Sequence, residues 1–234
     1  MRGLIRTACL LRTVVPYPTV LRDDGHAVQT LFCPGHPGTG KTVLTSVVVE
    51  HLAKLSTWTP SIESIGSAYA YCNYKETKEQ TKEQISASFL KQLIRICPKT
   101  PETIHRLLAG LSREERQPSL FETTKALTDA IETFTRTFFI IDAINECDPN
   151  TRGHLLSLLF DIQRNRNANL FVTSRCIKYI EEKFSRDNKL FIRADKTDIV
   201  RYIEARLKYD ETRGWTPQLR DEIAQGIAES ADGM

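Results

Sequence analysis

Eight consecutive residues, Gly35-His36-Pro37-Gly38-Thr39-Gly40-Lys41-Thr42, have the types and order needed to hold a chain of phosphates. They fit G-x-x-x-x-G-K-[ST]. Glycines let the backbone curl so that successive N–H groups point at phosphate oxygens. Lys41 adds a mobile positive charge, and the Thr42 hydroxyl is a ligand for Mg²⁺. Three residues farther along suit the same chemistry. Asp142 closes the apolar run Phe138-Phe139-Ile140-Ile141, where a carboxylate at the end of the adjacent strand would orient the metal ion through its waters. Glu146 could orient, or take a proton from, a water attacking the terminal phosphate. Arg175 ends another apolar run, Leu170-Phe171-Val172-Thr173-Ser174, and could bind that phosphate and report its presence. Glu146 alternatively reads as a helix-entry acid before Asp148 and Pro149, and Arg175 as a surface ion-pair residue. Thr173 and Ser174 are read as structural residues or as supports for the groups that touch the ligand.

The elements must deliver these groups to one place. Ala27–Cys33 reads as a strand before the loop, and Val43–Leu52 as a buried helix after it, so the phosphates would also meet a helix N-terminus. Further strands are predicted at 67–74, 137–142, 169–174 and 189–193. Between them lie helices at 85–94, 102–108, 120–134, 152–163, 177–184 and 197–207, with a last one at 217–230. The polar run Lys75–Gln84 reads as the solvated start of a helix. Alternation of strands and helices predicts an α/β fold with a mostly parallel sheet and helices on both faces.

With 234 residues the chain suits one such domain, or one with the start of another. Its 41% hydrophobic and 26% charged residues are those of an ordinary globular protein. A net charge of +3 gives no case for nucleic acid or membrane as a partner. Six cysteines without metal spacing, in or beside apolar segments, read as buried thiols in a reducing, cytoplasmic setting. Arg2, Arg6, Arg12 and Arg22 precede any acid, in a segment without serine that reads as a lead-in. A GTPase is disfavoured: Asn145 stands where D-x-x-G needs glycine, and Asn188-Lys189 is followed by Leu-Phe. For a small-molecule kinase, neither an acceptor pocket nor an Arg-rich lid is found.

Together, Gly35–Thr42, Phe139–Cys147 and Leu170–Arg175 resemble the NACHT-type signalling NTPases of the STAND class, in particular the nephrocystin-like N-terminal modules of fungal ankyrin- and WD-repeat proteins. Ser86–Leu93 and Asp198–Ile203 are similar to weaker blocks of that family. The resemblance implies a three-layer fold with a five-stranded core and an extra strand between the two nucleotide motifs. It implies ATP or ADP with Mg²⁺ as ligands, a homo-oligomer in the ATP state, slow hydrolysis that resets a switch, and downstream helical or repeat domains. Relatives take part in non-self recognition and regulated cell death. On this reading residues 1–26 are a lead-in, 27–209 the NTPase domain, and 210–234 the truncated start of a helical region. Where the family usually carries Asp-Glu this chain has Asn145-Glu146, which implies slower hydrolysis or dependence on Glu146 alone. A nucleotide-binding interaction module without turnover is the alternative.

Overall fold

Three apolar runs without polar alternation become the centre of a parallel sheet, because a strand covered on both faces has no solvent side to make polar. The computed structural model describes residues 30–58, 64–165, 168–185, 188–193, 196–209 and 216–230. Its strands are β1 (Thr30–Pro34), β2 (Ile65–Tyr71), β3 (Arg136–Asp142), β4 (Ala168–Ser174) and β5 (Asn188–Lys189). They form one all-parallel sheet in the order β2-β3-β4-β1-β5. β3, which ends in Asp142, is therefore not adjacent to the loop-bearing β1. The sequence-based expectation is corrected on that point: β4 lies between them, the inserted strand that the resemblance implies.

Period-two alternation sorts the strand side chains between two layers. On one face Leu31, Cys33, Phe138, Ile140 and Phe171 pack with Val48 and Leu52 of α1 (Lys41–Trp58). On the other, Phe32, Phe139, Ile141, Leu170 and Val172 meet α2 (Lys82–Ile96), α4 (Leu120–Ile131) and α5 (Pro149–Asn165). Aromatic contacts tighten this second layer: Phe32 stacks on Phe184 at 4.3 Å, and Phe89 meets Phe139 edge-on at 5.3 Å. The same alternation puts Asp142 on the face of Phe138 and Ile140, toward α1. That parity aims the carboxylate at the phosphate loop.

Local chemistry moves several predicted boundaries. In the run Lys75–Gln84 the chain first makes a 3-10 turn, Tyr74–Glu76, capped by Asn73. α2 starts only at Lys82, because Thr81 and Gln84 exchange hydrogen bonds in a capping box. α3 (Glu102–Glu114) runs well past the predicted end at Leu108; Gly110 is accommodated inside it, and Glu115, in the left-handed region at φ 50°, ends it. The strand predicted at 189–193 pairs regularly only over Asn188–Lys189, although Leu190 and Ile192 still donate to Phe32 and Pro34 carbonyls. After α6 (Lys178–Lys183), α7 (Lys196–Tyr209) and α8 (Pro217–Ser230) pack on one another, with Ala224 and Ala228 of α8 buried. The readings made for residues 1–29, Cys9 among them, and for 231–234 fall outside the described residues. No described helix is long and apolar enough to cross a membrane.

The edge strand β2 is covered by two side-chain amides. Gln92 accepts from the Tyr69 N–H (3.0 Å) and donates to its carbonyl (2.9 Å), as a neighbouring strand would. Gln80 donates to the Tyr71 carbonyl and accepts from the Asn73 N–H. Open edges recruit other strands, so this cover protects the monomer. Gln92→Leu is expected to lower stability by about 1–2 kcal/mol, the worth of two partly exposed hydrogen bonds. It should also cause concentration-dependent association, read by denaturant titration and light scattering. An unchanged midpoint without association would show that the edge needs no guard.

Candidate functional site

β1 ends in Pro34, and the chain turns at once into the loop. Gly35 donates its N–H to the Ser174 carbonyl at 3.0 Å. A side chain at this position would place a Cβ 2.6 Å from the Ile192 carbonyl, so only glycine fits between β4 and the segment after β5. Gly38 (φ +80°) and Gly40 (φ +87°) take the left-handed conformations that curl the loop. Thr39 closes it, its hydroxyl donating to the His36 carbonyl at 2.9 Å. The Leu44 N–H then bonds the Gly40 carbonyl and α1 begins. Lys41 folds back over this turn, donating from Nζ to the carbonyls of Gly35 (2.9 Å) and His36 (2.6 Å). Partial burial lowers its pKa from the ordinary lysine value, an effect opposed by the Asp142 charge.

Asp142 sits beneath the loop, 3% exposed. Its Oδ2 accepts from the Thr42 hydroxyl at 2.6 Å. Its Oδ1 accepts from Thr173 at 2.7 Å and lies 2.9 Å from the Thr45 hydroxyl. Thr45 is also 3.0 Å from the Lys41 carbonyl, so its single proton serves one of the two at a time. Thr173 uses its lone pair as well, accepting from the Ala143 N–H at 2.8 Å. A buried carboxylate needs such partners to stay in place. Thr42 and Asp142 are hard oxygen donors side by side, which suits Mg²⁺, an ion that keeps several waters and takes few protein ligands. Among the described residues no group of three His, Cys, Asp or Glu could form a protein cage for a metal.

After Asp142, Ala143 enters the left-handed region (φ 53°) and swings the chain into a 3-10 turn, Ile144–Glu146. For a residue with a Cβ this costs about 1–2 kcal/mol, offset in part by the bond from Ala143 to Thr173. The turn brings the Glu146 carboxylate to 3.6 Å from the Arg175 guanidinium, with the other oxygen accepting from the Tyr74 N–H at 3.4 Å. Asn145 has a role that its mismatch to an acid conceals: its side-chain oxygen accepts from the Arg175 N–H at 2.9 Å and ties the two motifs together. Pro37, Gly38, Gly40, Lys41, Thr42, Asp142, Glu146 and Arg175 thus border one cavity of about 360 Å³, together with Val43, Ala143 and Asn145. Gly35, His36 and Thr39 do not line it; they shape the loop. Thr45 escaped the sequence reading. Its signal was a polar residue on the buried stripe it shares with Val48 and Leu52.

The family profile described as Nephrocystin 3, N-terminal, matches residues 17–175. No curated protein matches this sequence. Among solved structures, the Aeropyrum pernix ORC1 protein in complex with DNA is 15% identical over 87% of this chain and 48% of that one, with a TM-score of 0.56. Cdc6p from Pyrobaculum aerophilum is 16% identical over 89% of this chain and 49% of its own, at 0.54. A Walker-type ATPase of Pyrococcus abyssi is 12% identical over 95% and 61%, at 0.53. The chain spans about half to three fifths of those proteins. At such identities the likeness is one of fold: a P-loop NTPase-like α/β sheet.

Thr173→Val keeps the β-branched shape but removes a donor to a buried carboxylate and an acceptor for Ala143. The expected loss is about 2–3 kcal/mol of unfolding free energy, with Thr173→Ser recovering most of it, as read by urea titration. A loss below 0.5 kcal/mol, on the order expected for a neutral surface change, would mean that Thr173 does not hold Asp142.

Proposed function

This chain belongs to the Nephrocystin 3, N-terminal family, and on that footing we propose that its P-loop NTPase domain binds ATP or ADP with Mg²⁺ and hydrolyses ATP slowly. The observation that carries this reading is the convergence of Lys41, Thr42, Asp142, Glu146 and Arg175 on one cavity. The loop amides and the α1 N-terminus would take the phosphates. Lys41 would exchange its loop carbonyls for phosphate oxygens. Thr42 and Asp142 would hold Mg²⁺, which when bound supplies positive charge against the phosphates. Glu146 is the group to orient and deprotonate the attacking water. Arg175 would contact the terminal phosphate.

The two last roles bear on one another. Glu146 and Arg175 stand 3.6 Å apart as a pair, so a phosphate that draws on Arg175 competes with the glutamate for it. Its side chain is half exposed, and such a pair is worth at most about 1 kcal/mol, which a bound triphosphate can readily replace. This exchange is the basis on which the domain would act as a nucleotide-dependent switch, with assembly in the ATP state and following helical or repeat regions as its readers. Adenine as the base comes from the resemblance to NACHT-type signalling NTPases. The same pair, together with the uncharged Asn145, favours a second reading, a nucleotide-binding module that does not turn over.

Lys41→Ala is expected to weaken binding of a fluorescent ATP analogue by about 100-fold, the loss of a charge-assisted contact. Glu146→Gln should bind normally and release phosphate at least about 100-fold more slowly. Equal phosphate release by wild type and Glu146→Gln would leave the binding module as the better description. Unchanged binding by Lys41→Ala would remove the nucleotide site altogether.

A further inference from the structure

We propose that Arg152 is a positioning residue for Glu146: its guanidinium sets the backbone of the turn that carries the glutamate. This rests on the hydrolytic reading of Glu146, and it concerns a residue outside the cavity wall.

Arg152 stands where local chemistry argues against a cation. It lies near the start of α5, whose N-terminus Asp148 caps by accepting from the N–H groups of Asn150 (2.9 Å) and Thr151 (3.1 Å). That end of a helix carries partial positive charge and disfavours arginine. The residue is also only 9% exposed. Buried arginines are ordinarily paired with acids, yet among the described residues no carboxylate lies within ion-pair distance of this one.

Its hydrogen-bond partners are neutral, although its charge is felt by the Asp148 carboxylate. Nη1 donates to the Cys147 carbonyl at 3.3 Å and, more weakly, to the Asn145 carbonyl at 3.5 Å. These are the residues immediately before and after Glu146. The guanidinium therefore fixes the backbone on both sides of the glutamate, while Ile144 and Cys147 anchor the turn in the core. From the opposite side the turn is held through Asn145, whose side chain accepts from the Arg175 N–H. The guanidinium also stacks on the Tyr179 ring, 5.0 Å from its centroid. Tyr179 lies in α6, which follows Arg175. One side chain thus touches both the Glu146 turn and the helix that begins three residues after Arg175. Nη1 makes both backbone contacts while the guanidinium plane lies against the ring; a lysine ammonium could donate to the carbonyls but has no plane to lay on Tyr179.

The test uses Arg152→Gln and Arg152→Lys in the full chain, each compared with wild type for folding, nucleotide affinity, phosphate release and amide exchange over residues 143–148. Both variants are expected to bind the fluorescent ATP analogue within about threefold of wild type, since no phosphate contact is lost. Phosphate release should fall roughly 10–100-fold, the penalty for a misplaced catalytic group. The turn should exchange its amides faster. Adding Arg152→Gln to Glu146→Gln should cause no further loss, because the arginine acts only through that glutamate. Should Arg152→Gln fail to fold, Arg152→Lys carries the comparison. A folded variant with wild-type turnover, or a loss that multiplies that of Glu146→Gln, overturns the proposal. If wild type binds nucleotide but releases no phosphate, the hydrolytic reading fails by itself. The exchange measurement then decides: unchanged protection over 143–148 refutes the clamp, and faster exchange upholds it.

Discussion

A single buried carboxylate organises this domain. Asp142 is surrounded by three hydroxyls from two separate elements, Thr42 and Thr45 on α1 and Thr173 on β4. Each bond fixes a distance between elements far apart in sequence. Without them a buried negative charge would have no compensation, and the loop helix would have no reason to sit at one height above the sheet. The apolar layers supply the bulk of the burial but are tolerant of small slides. The threonine cage is not, because hydrogen bonds fail within a few tenths of an ångström. The phosphate loop is thereby held to the sheet by the same group that would face the metal.

A second tier of contacts hangs from this one. Thr173 passes its interaction on to Ala143, whose left-handed conformation redirects the chain into the Glu146 turn. Asn145 then connects that turn to Arg175, and Arg152 holds it from below. The result is a continuous set of bonds from β4 through the end of β3 and the Glu146 turn to Arg175. In this arrangement the charged groups satisfy one another: Lys41 with loop carbonyls, Glu146 with Arg175. Ligand binding would replace internal partners rather than fill an unpaired site.

Much of this was legible in the sequence, for identifiable reasons. Gly35–Thr42 announces itself because phosphate geometry permits few residue types there. Asp142 and Arg175 stand out as charges at the ends of apolar strands. The parallel sheet with helices on both faces follows from the alternation of strands and helices. What escaped is what depends on pairing between distant segments. Strand order is one case: nothing local in β4 says that it enters between β1 and β3, and only the family resemblance carried an inserted strand. Thr45 looks like an ordinary β-branched residue until the carboxylate beside it is seen. Asn145 reads as a lost acid, because its service to a backbone N–H is invisible without the fold. The helix at Glu102–Glu114 outran its prediction because Gly110 only weakens a helix, whereas the start of α2 depended on a specific reciprocal cap at Thr81.

The amide cover on β2 differs in kind from the charged guards that edge strands commonly carry. A lysine or glutamate repels an approaching strand through a field that counter-ions attenuate, on a length of about 10 Å at 0.1 M salt. Gln80 and Gln92 act by occupying the hydrogen-bonding positions themselves. Neither side chain titrates, and neither presents a charge to be shielded. The protection they give the sheet therefore does not fade as salt is added, and it lasts for as long as α2 keeps Gln92, and the turn before α2 keeps Gln80, in register.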